Sequence, residues 1–265
     1  MEALAEFWSA WAPEAGTLVL ACLAVAAAGV LRGLTGFGFA LAAVPLLSMF
    51  LAPAASVALV ICLQAMVGFR DLVQVGRLVD WASVSRLSVG SLVGTPVGVA
   101  LLAWLDPAAM RLAIAALVGL GLAMLLRPGK VPVPAEPSAG APRGALPTGL
   151  ASGVFGGLAA MAGPPAIVWY MRAGHRPAVM RASLMVFFFI GSVFAAPMMA
   201  WNGVLGASTV ALAVCALPVL ILSTSAGARL FARTTDAGYR KVALGVLAAM
   251  AAASAVRGAM DLLGG

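Results

Sequence analysis

Long apolar stretches interrupted only by short polar segments run along this whole sequence, at about 17–31, 36–51, 54–69, 87–104, 108–126, 146–162, 163–171, 178–201, 204–226 and 242–260. Such a chain cannot clothe a water-facing surface: 63% of its 265 residues are hydrophobic and 9% are charged, against about 25% charged in an ordinary soluble domain. The solvent of this fold is therefore a bilayer. A helix needs about 20 apolar residues to cross one, so the sequence predicts a single all-α polytopic integral membrane domain in which several segments are too short to span. The surplus of base, 16 Lys and Arg against 9 Asp and Glu, does not point to nucleic acid. It gathers in short loops between apolar runs, where the positive-inside rule puts it.

Four basic clusters set the expected topology: Arg70, Arg77 and Arg86; Arg127, Lys130 and Arg143; Arg172, Arg176 and Arg181; and Arg229, Arg233, Arg240 and Lys241. These loops are expected to face the cytoplasm. The turns at Asp106-Pro107 and Asn202-Gly203 carry no base, and the segment before residue 17 carries Glu2, Glu6 and Glu14, so both termini are expected outside. Trp81, Trp104 and Trp201 end apolar runs, as interfacial anchors do. Cys22, Cys62 and Cys215 lie singly inside such runs and read as small packing residues.

The two halves of the chain repeat. At an offset of 120, Gly29, Gly33, Gly36, Ala40, Ala42 and Pro45 fall on Gly149, Gly153, Gly156, Ala160, Ala162 and Pro165; at an offset of 129, Gly98 and Arg111 fall on Gly227 and Arg240. The expected organisation is a first membrane repeat at 1–126, a Pro-rich cytoplasmic linker at 127–146 and a second repeat at 147–265, each with about five helical segments. Five is odd, so the second copy is inverted, in agreement with the charge pattern. Inverted repeats are a transporter signature and place the substrate site where the copies meet near mid-membrane.

The repeated motif reads GVLRGLTGFGFALAAVPLL from Gly29 and GLASGVFGGLAAMAGPPAIVWY from Gly149. Glycines every three or four residues followed by proline weaken a helix. A break in a bilayer survives only where protein buries it or a cavity lies beside it. A half-helix starting near Gly36 to Gly38, or after Gly163-Pro164-Pro165, aims free N–H groups and the positive end of its dipole inward, toward a small anion. Close helix packing of the GxxxG kind is the other reading of the same glycines.

On the first reading the substrate-binding candidates are Arg32, Gly36, Phe37, Gly38, Gln64, Gly156, Gly163, Pro164 and Pro165. Arg32 is the one charge within the tract 17–51 and either faces a cavity or snorkels to the cytoplasmic interface. Gln64 donates either to an oxyanion or to another helix. The phenylalanines Phe37, Phe39 and Phe187 to Phe189 gate a pore or pack.

These motifs resemble those of the sulfite exporter TauE/SafE family of membrane permeases: a G-x-x-x-G-x-x-G-x-G run closing on V-P-L-L, and a G-x-x-x-G-x-x-G run closing on G-P-P. The segment GARLFARTTDAGYRKVALGVLAAM, 227–250, resembles that family's closing segment. The resemblance implies a bacterial inner-membrane, multi-pass exporter of small anions such as sulfite or short organosulfonates. Permeases for other small organic anions and a passive anion channel are its alternatives. The second motif departs from the family by placing Ala160 and Ala162 where glycine is common, which leaves the pocket shape open.

Other chemistry lacks its residues. One histidine, His175, and no acidic cluster give a metal no ligand set, no cofactor motif occurs, and a nucleophile with a base at membrane depth is missing, so no enzyme is expected. Every acid reads as lying in a loop, at a terminus or at a segment end, which argues against a proton relay and for efflux driven by the membrane potential. The partners expected are lipid and a small anion; a homodimer is compatible with the sequence.

Overall fold

The computed structural model describes residues 14–36, 38–126 and 144–231. Phe37, the linker residues 127–143, Arg240 and the last apolar stretch, 242–260, lie outside the described residues. Within them the chain forms helices α1 (Ala15–Thr35), α2 (Phe39–Leu47), α3 (Pro53–Val75), α4 (Trp81–Trp104), α5 (Pro107–Leu126), α6 (Ala145–Ala159), α7 (Gly163–Arg172), α8 (Pro177–Trp201) and α9 (Ala207–Phe231), with one 3-10 turn at Gly76–Leu78 and no strand. Five of the helices are long and apolar enough to cross a bilayer. The all-helical, multi-pass expectation is met.

Local chemistry explains where the helices begin. Pro53 and Pro177 open α3 and α8 at positions whose N–H has no helical partner. Before α5, the Asp106 carboxylate accepts from the amides of Ala108 and Ala109, both at 2.9 Å. The expected loop 70–86 is mostly helix instead: α3 continues to Val75 and α4 starts at Trp81. Arg70 donates to the Ser225 hydroxyl at 3.2 Å and Asp71 accepts from Arg32, so these charges are satisfied inside the bundle and the helix need not end at the apolar boundary.

Two helix pairs carry the closest packing, α4 against α6 and α1 against α9. Glycine allows it. A Cβ on Gly98 would overlap the Val154 carbonyl oxygen, and a Cβ on Gly227 would overlap the Val30 carbonyl oxygen. Gly90 meets Leu146, Gly94 meets Leu150 and Gly98 meets Val154, so α4 and α6 run parallel; Gly29 meets Ser223 and Gly33 meets Ala228, so α1 and α9 do the same. In lipid, where apolar side chains gain nothing by leaving one another's solvent, such backbone approach is the main source of helix association.

The sides of the bundle follow from these pairings. Asp80 before α4 meets His175 before α8, while Gly68 of α3 meets Phe189 of α8, so α3 and α8 are antiparallel. Hence α1, α3 and α9 begin at one face, and α4, α6 and α8 at the other. Since α3 begins on the same face as α1, the chain must turn back after Gly36, and α2 is the returning arm. Trp81, Trp104 and Trp201 are all exposed, with Trp104 86% and Trp201 92% accessible at the ends of their helices, as interfacial anchors require.

Candidate functional site

Both repeated motifs are broken at left-handed residues, among the described residues two in the first and one in the second. Gly36 (φ 77°) closes α1 by donating its N–H to the Arg32 carbonyl at 2.7 Å, and Gly38 (φ 89°) opens α2. In the second motif the same task falls to Ala160 (φ 59°), whose N–H reaches the Gly156 carbonyl at 2.8 Å before α7 starts at Gly163. The second break therefore lies ahead of Gly163-Pro164-Pro165, not after it. An L-residue in that region is strained, and here it stands where the motif departs from glycine. The helix ends match at a spacing of 124, from Thr35 to Ala159, Phe39 to Gly163 and Pro53 to Pro177, about one helical turn more than the offset of 120.

The breaks meet at one cavity of about 380 Å³, its open mouth included. Gly36, Gly38 and Phe39 line it from the first break, Ala160, Met161 and Gly163 from the second, with Arg32, Gln64 and Phe188 completing the wall. Both α2 and α7 thus start at this cavity. Their free amides are unequal, because the first-turn N–H groups of a helix have no internal partner and prolines have none to offer. Phe39, Ala40 and Leu41 present theirs; Pro164 and Pro165 cannot. Neither proline lines this cavity, and Pro164 instead packs where a Cβ on Gly121 would touch it at 2.8 Å.

Arg32 does not snorkel. It is 6% exposed, its Nη2 donates to the Asp71 carboxylate of α3, and its Nη1 has no hydrogen-bond partner among the described residues. Asp71 stands four residues before the end of α3, at a segment end as expected, but it is 4% exposed and so buried inside the bundle. Gln64, seven residues before Asp71 on the same helix, is 8% exposed, and its Nε2 also lacks a partner among the described residues. One guanidinium nitrogen, one amide nitrogen and the α2 N-terminus are therefore donors gathered around the cavity. Unsatisfied donors held out of water are costly unless something fills them.

A second cavity of about 300 Å³, its open mouth likewise included, adjoins the first and shares Gln64, Ala160 and Phe188 with it. Gly156 lines this one, not the first. Of the sequence candidates, then, Arg32, Gly36, Gly38, Gln64 and Gly163 converge, Gly156 lies next door, Pro164 and Pro165 stand behind, and Phe37 is outside the described residues. Phe188 lines both cavities, Phe187 is buried beside it with ring centroids 5.8 Å apart, and Phe189 packs edge-on against Phe69.

The sequence reading missed Asp71 and the part played by Ala160. Arg32 itself held the signal for Asp71, because a buried guanidinium requires a carboxylate and Gln64 and Asp71 are two helical turns apart on one face. Outside Gly36, the Arg181 side chain of α8 lies where a Cβ would stand, and its Nη2 donates to the Gly33 carbonyl at 3.1 Å. That cation at the end of α1 offsets the negative end of the helix.

At the end of the bundle His175 Nε2 lies 2.9 Å from Asp80 Oδ2 and its ring packs edge-on against Tyr170. The basic-loop histidine thus fastens the start of α8 to the start of α4. Burial pushes the Asp80 carboxyl up, but the Ser83 hydroxyl and amide together with His175 outweigh it and hold the group below its ordinary value.

Residues 21–254 match the family model described as Sulfite exporter TauE/SafE. The chain is also 32% identical over 220 residues to a protein of Cupriavidus necator named probable sulfite/organosulfonate exporter TauE, a match covering 80% of this chain and 84% of that one. No solved structure matches.

Proposed function

Because the chain belongs to the sulfite exporter TauE/SafE family of membrane transporters, we propose that it exports sulfite or short organosulfonates, binding them in the cavity between the two helix breaks. One observation carries this reading: Arg32 and Gln64 line the cavity into which α2 opens its N-terminus, and each has a buried nitrogen, Nη1 and Nε2, without a partner among the described residues. A small oxyanion has the acceptors that these donors lack.

We infer two inverted repeats, 1–126 and 147–265, joined by the linker 127–146. The matched spacing of the two breaks supports this. So does the pairing of contacts, since Gly98 on Val154 and Gly227 on Val30 are one contact made twice. With the basic turns on the cytoplasmic side of a bacterial inner membrane, both termini lie outside, and the exposed apolar side chains of α1, α4 and α9 face lipid. Rocking of one repeat on the other would open the central cavity to each side in turn. An inside-negative potential assists anion efflux by about 2.3 kcal/mol per charge per 100 mV.

Flux through the purified protein in sealed vesicles, measured for sulfite, short sulfonates, carboxylates and monovalent cations under an imposed potential, tests the reading. Saturable sulfite and sulfonate flux that grows as the donor side is made negative is the expected result. Linear, non-saturating flux would make the protein a channel, and preference for cations would reject an anion site.

A further inference from the structure

Resting on the reading of the Arg32 cavity as the anion site, we propose that the adjoining cavity is a second subsite. It takes the uncharged, hydroxyl-bearing end of a short organic anion, so the protein selects hydroxyalkylsulfonates over alkyl, carboxyalkyl and aminoalkyl analogues. The two cavities share Gln64, Ala160 and Phe188, so a ligand with its anionic head at Arg32 extends its other end past Phe188. What it meets there differs from the first chamber.

Ser91 and Thr95 line the second cavity from α4 and Ser192 from α8; they are 3%, 2% and 2% exposed, and among the described residues no charged side chain borders the space. Thr95 gives its proton to the Ser91 carbonyl at 2.8 Å, which turns its remaining lone pairs into acceptors. Gln64 points to a ligand on this side too: it is 8% exposed and borders both spaces, its Nε2 lacks any partner among the described residues, and a carboxamide nitrogen has two protons to give.

Chemistry then chooses the tail. A hydroxyl both donates and accepts, so it satisfies serine and threonine oxygens and a carboxamide together. A carboxylate or an ammonium would enter a buried space with no opposite charge beside it, and desolvation would outweigh what hydroxyls return. An alkyl tail leaves the polar wall unsatisfied.

The test is transport by the full-length protein in sealed vesicles of 2-hydroxyethanesulfonate, ethanesulfonate, carboxymethanesulfonate and 2-aminoethanesulfonate, with inorganic sulfite alongside. The hydroxylated anion should exceed ethanesulfonate in kcat/KM by about threefold to tenfold, the worth of one net hydrogen bond, and exceed both charged analogues by more. Thr95→Val and Ser192→Ala should bring the hydroxyl-to-alkyl ratio toward one, a readout taken within one preparation and so independent of how much protein is folded. A ratio near one in the unaltered protein, a ratio retained in both variants, or faster flux of a charged-tail analogue, with sulfite still moved, would overturn the subsite and leave the anion site standing. Loss of all anion transport in the unaltered protein would overturn both.

Discussion

Arg32 on α1 and Asp71 on α3 form an ion pair inside the bundle, and the pair uses only one of the two terminal guanidinium nitrogens. Asp71 holds the cation at the cavity wall and leaves Nη1 without a partner among the described residues. Without the carboxylate, a lone positive charge would stand buried at 6% exposure, a state that costs several kcal/mol.

Stability and transport should therefore separate at this pair. Arg32→Met and Asp71→Leu singly each strand one buried charge and should lower stability by about 3–5 kcal/mol. The double variant strands none and should recover most of that loss, yet move no sulfite. Thermal unfolding in detergent and vesicle flux check the two halves; a double variant that transports normally would leave Arg32 a purely structural role.

The two breaks should respond differently to substitution. Gly38 has φ 89°, so Gly38→Ala forces an L-residue into the left-handed region at about 1–2 kcal/mol and should reduce transport with it. At Gly163 a Cβ meets Ile167 at 3.4 Å and Phe188 at 3.5 Å, ordinary contacts. Gly163→Ala should be tolerated, while Gly163→Phe should fill the cavity and abolish flux in protein that still inserts. Equal effects of the two Gly163 variants on initial rates would contradict the placement of that residue at the cavity wall.

Helix packing gives a paired expectation. Gly98→Leu and Gly227→Leu each drive a side chain into a facing carbonyl, at Val154 and Val30, and should destabilise alike by about 1–3 kcal/mol or more. Gly119, with open space around its Cβ position, is the control, and Gly119→Leu should stay within about 0.5 kcal/mol. Recovery of folded protein by size-exclusion chromatography and its melting temperature are the readouts.

Asp80 provides a dependence on pH. Its folded pKa is lowered, so its contribution to stability is whole above the ordinary carboxylate value of about 3.9 and is lost as pH falls through the lowered one. Melting temperature followed from pH 6 to pH 3 should drop more in the unaltered protein than in Asp80→Asn. Parallel curves would show that the contacts with Ser83 and His175 add nothing.

Much of this was legible in the sequence, for a physical reason. Bilayer insertion is set by hydropathy and loop charge, which are local, so the helical segments and the break near Gly36 could be read directly. Partner choice is not local. Asp71 sits one residue past Arg70, at the edge of an apolar run, and only the fold shows that α3 continues and turns it toward Arg32. Pro164 and Pro165 read as substrate contacts because proline marks a break; in the fold they line neither of the two cavities, and proline has no N–H to give an anion. The second break was expected at Gly163-Pro164-Pro165, and Ala160 hid its position ahead of them, since nothing local distinguishes an alanine forced to φ 59° from one in a helix.

The most direct measurement is the location of selenite, a heavier analogue of sulfite, by anomalous scattering from crystals of the unaltered protein. Selenium should lie among Arg32 Nη1, Gln64 Nε2 and the start of α2, with its oxygens at hydrogen-bond distance, about 3 Å, from these nitrogens. Selenium bound elsewhere, in protein that transports the anion and leaves this cavity empty, would contradict the account.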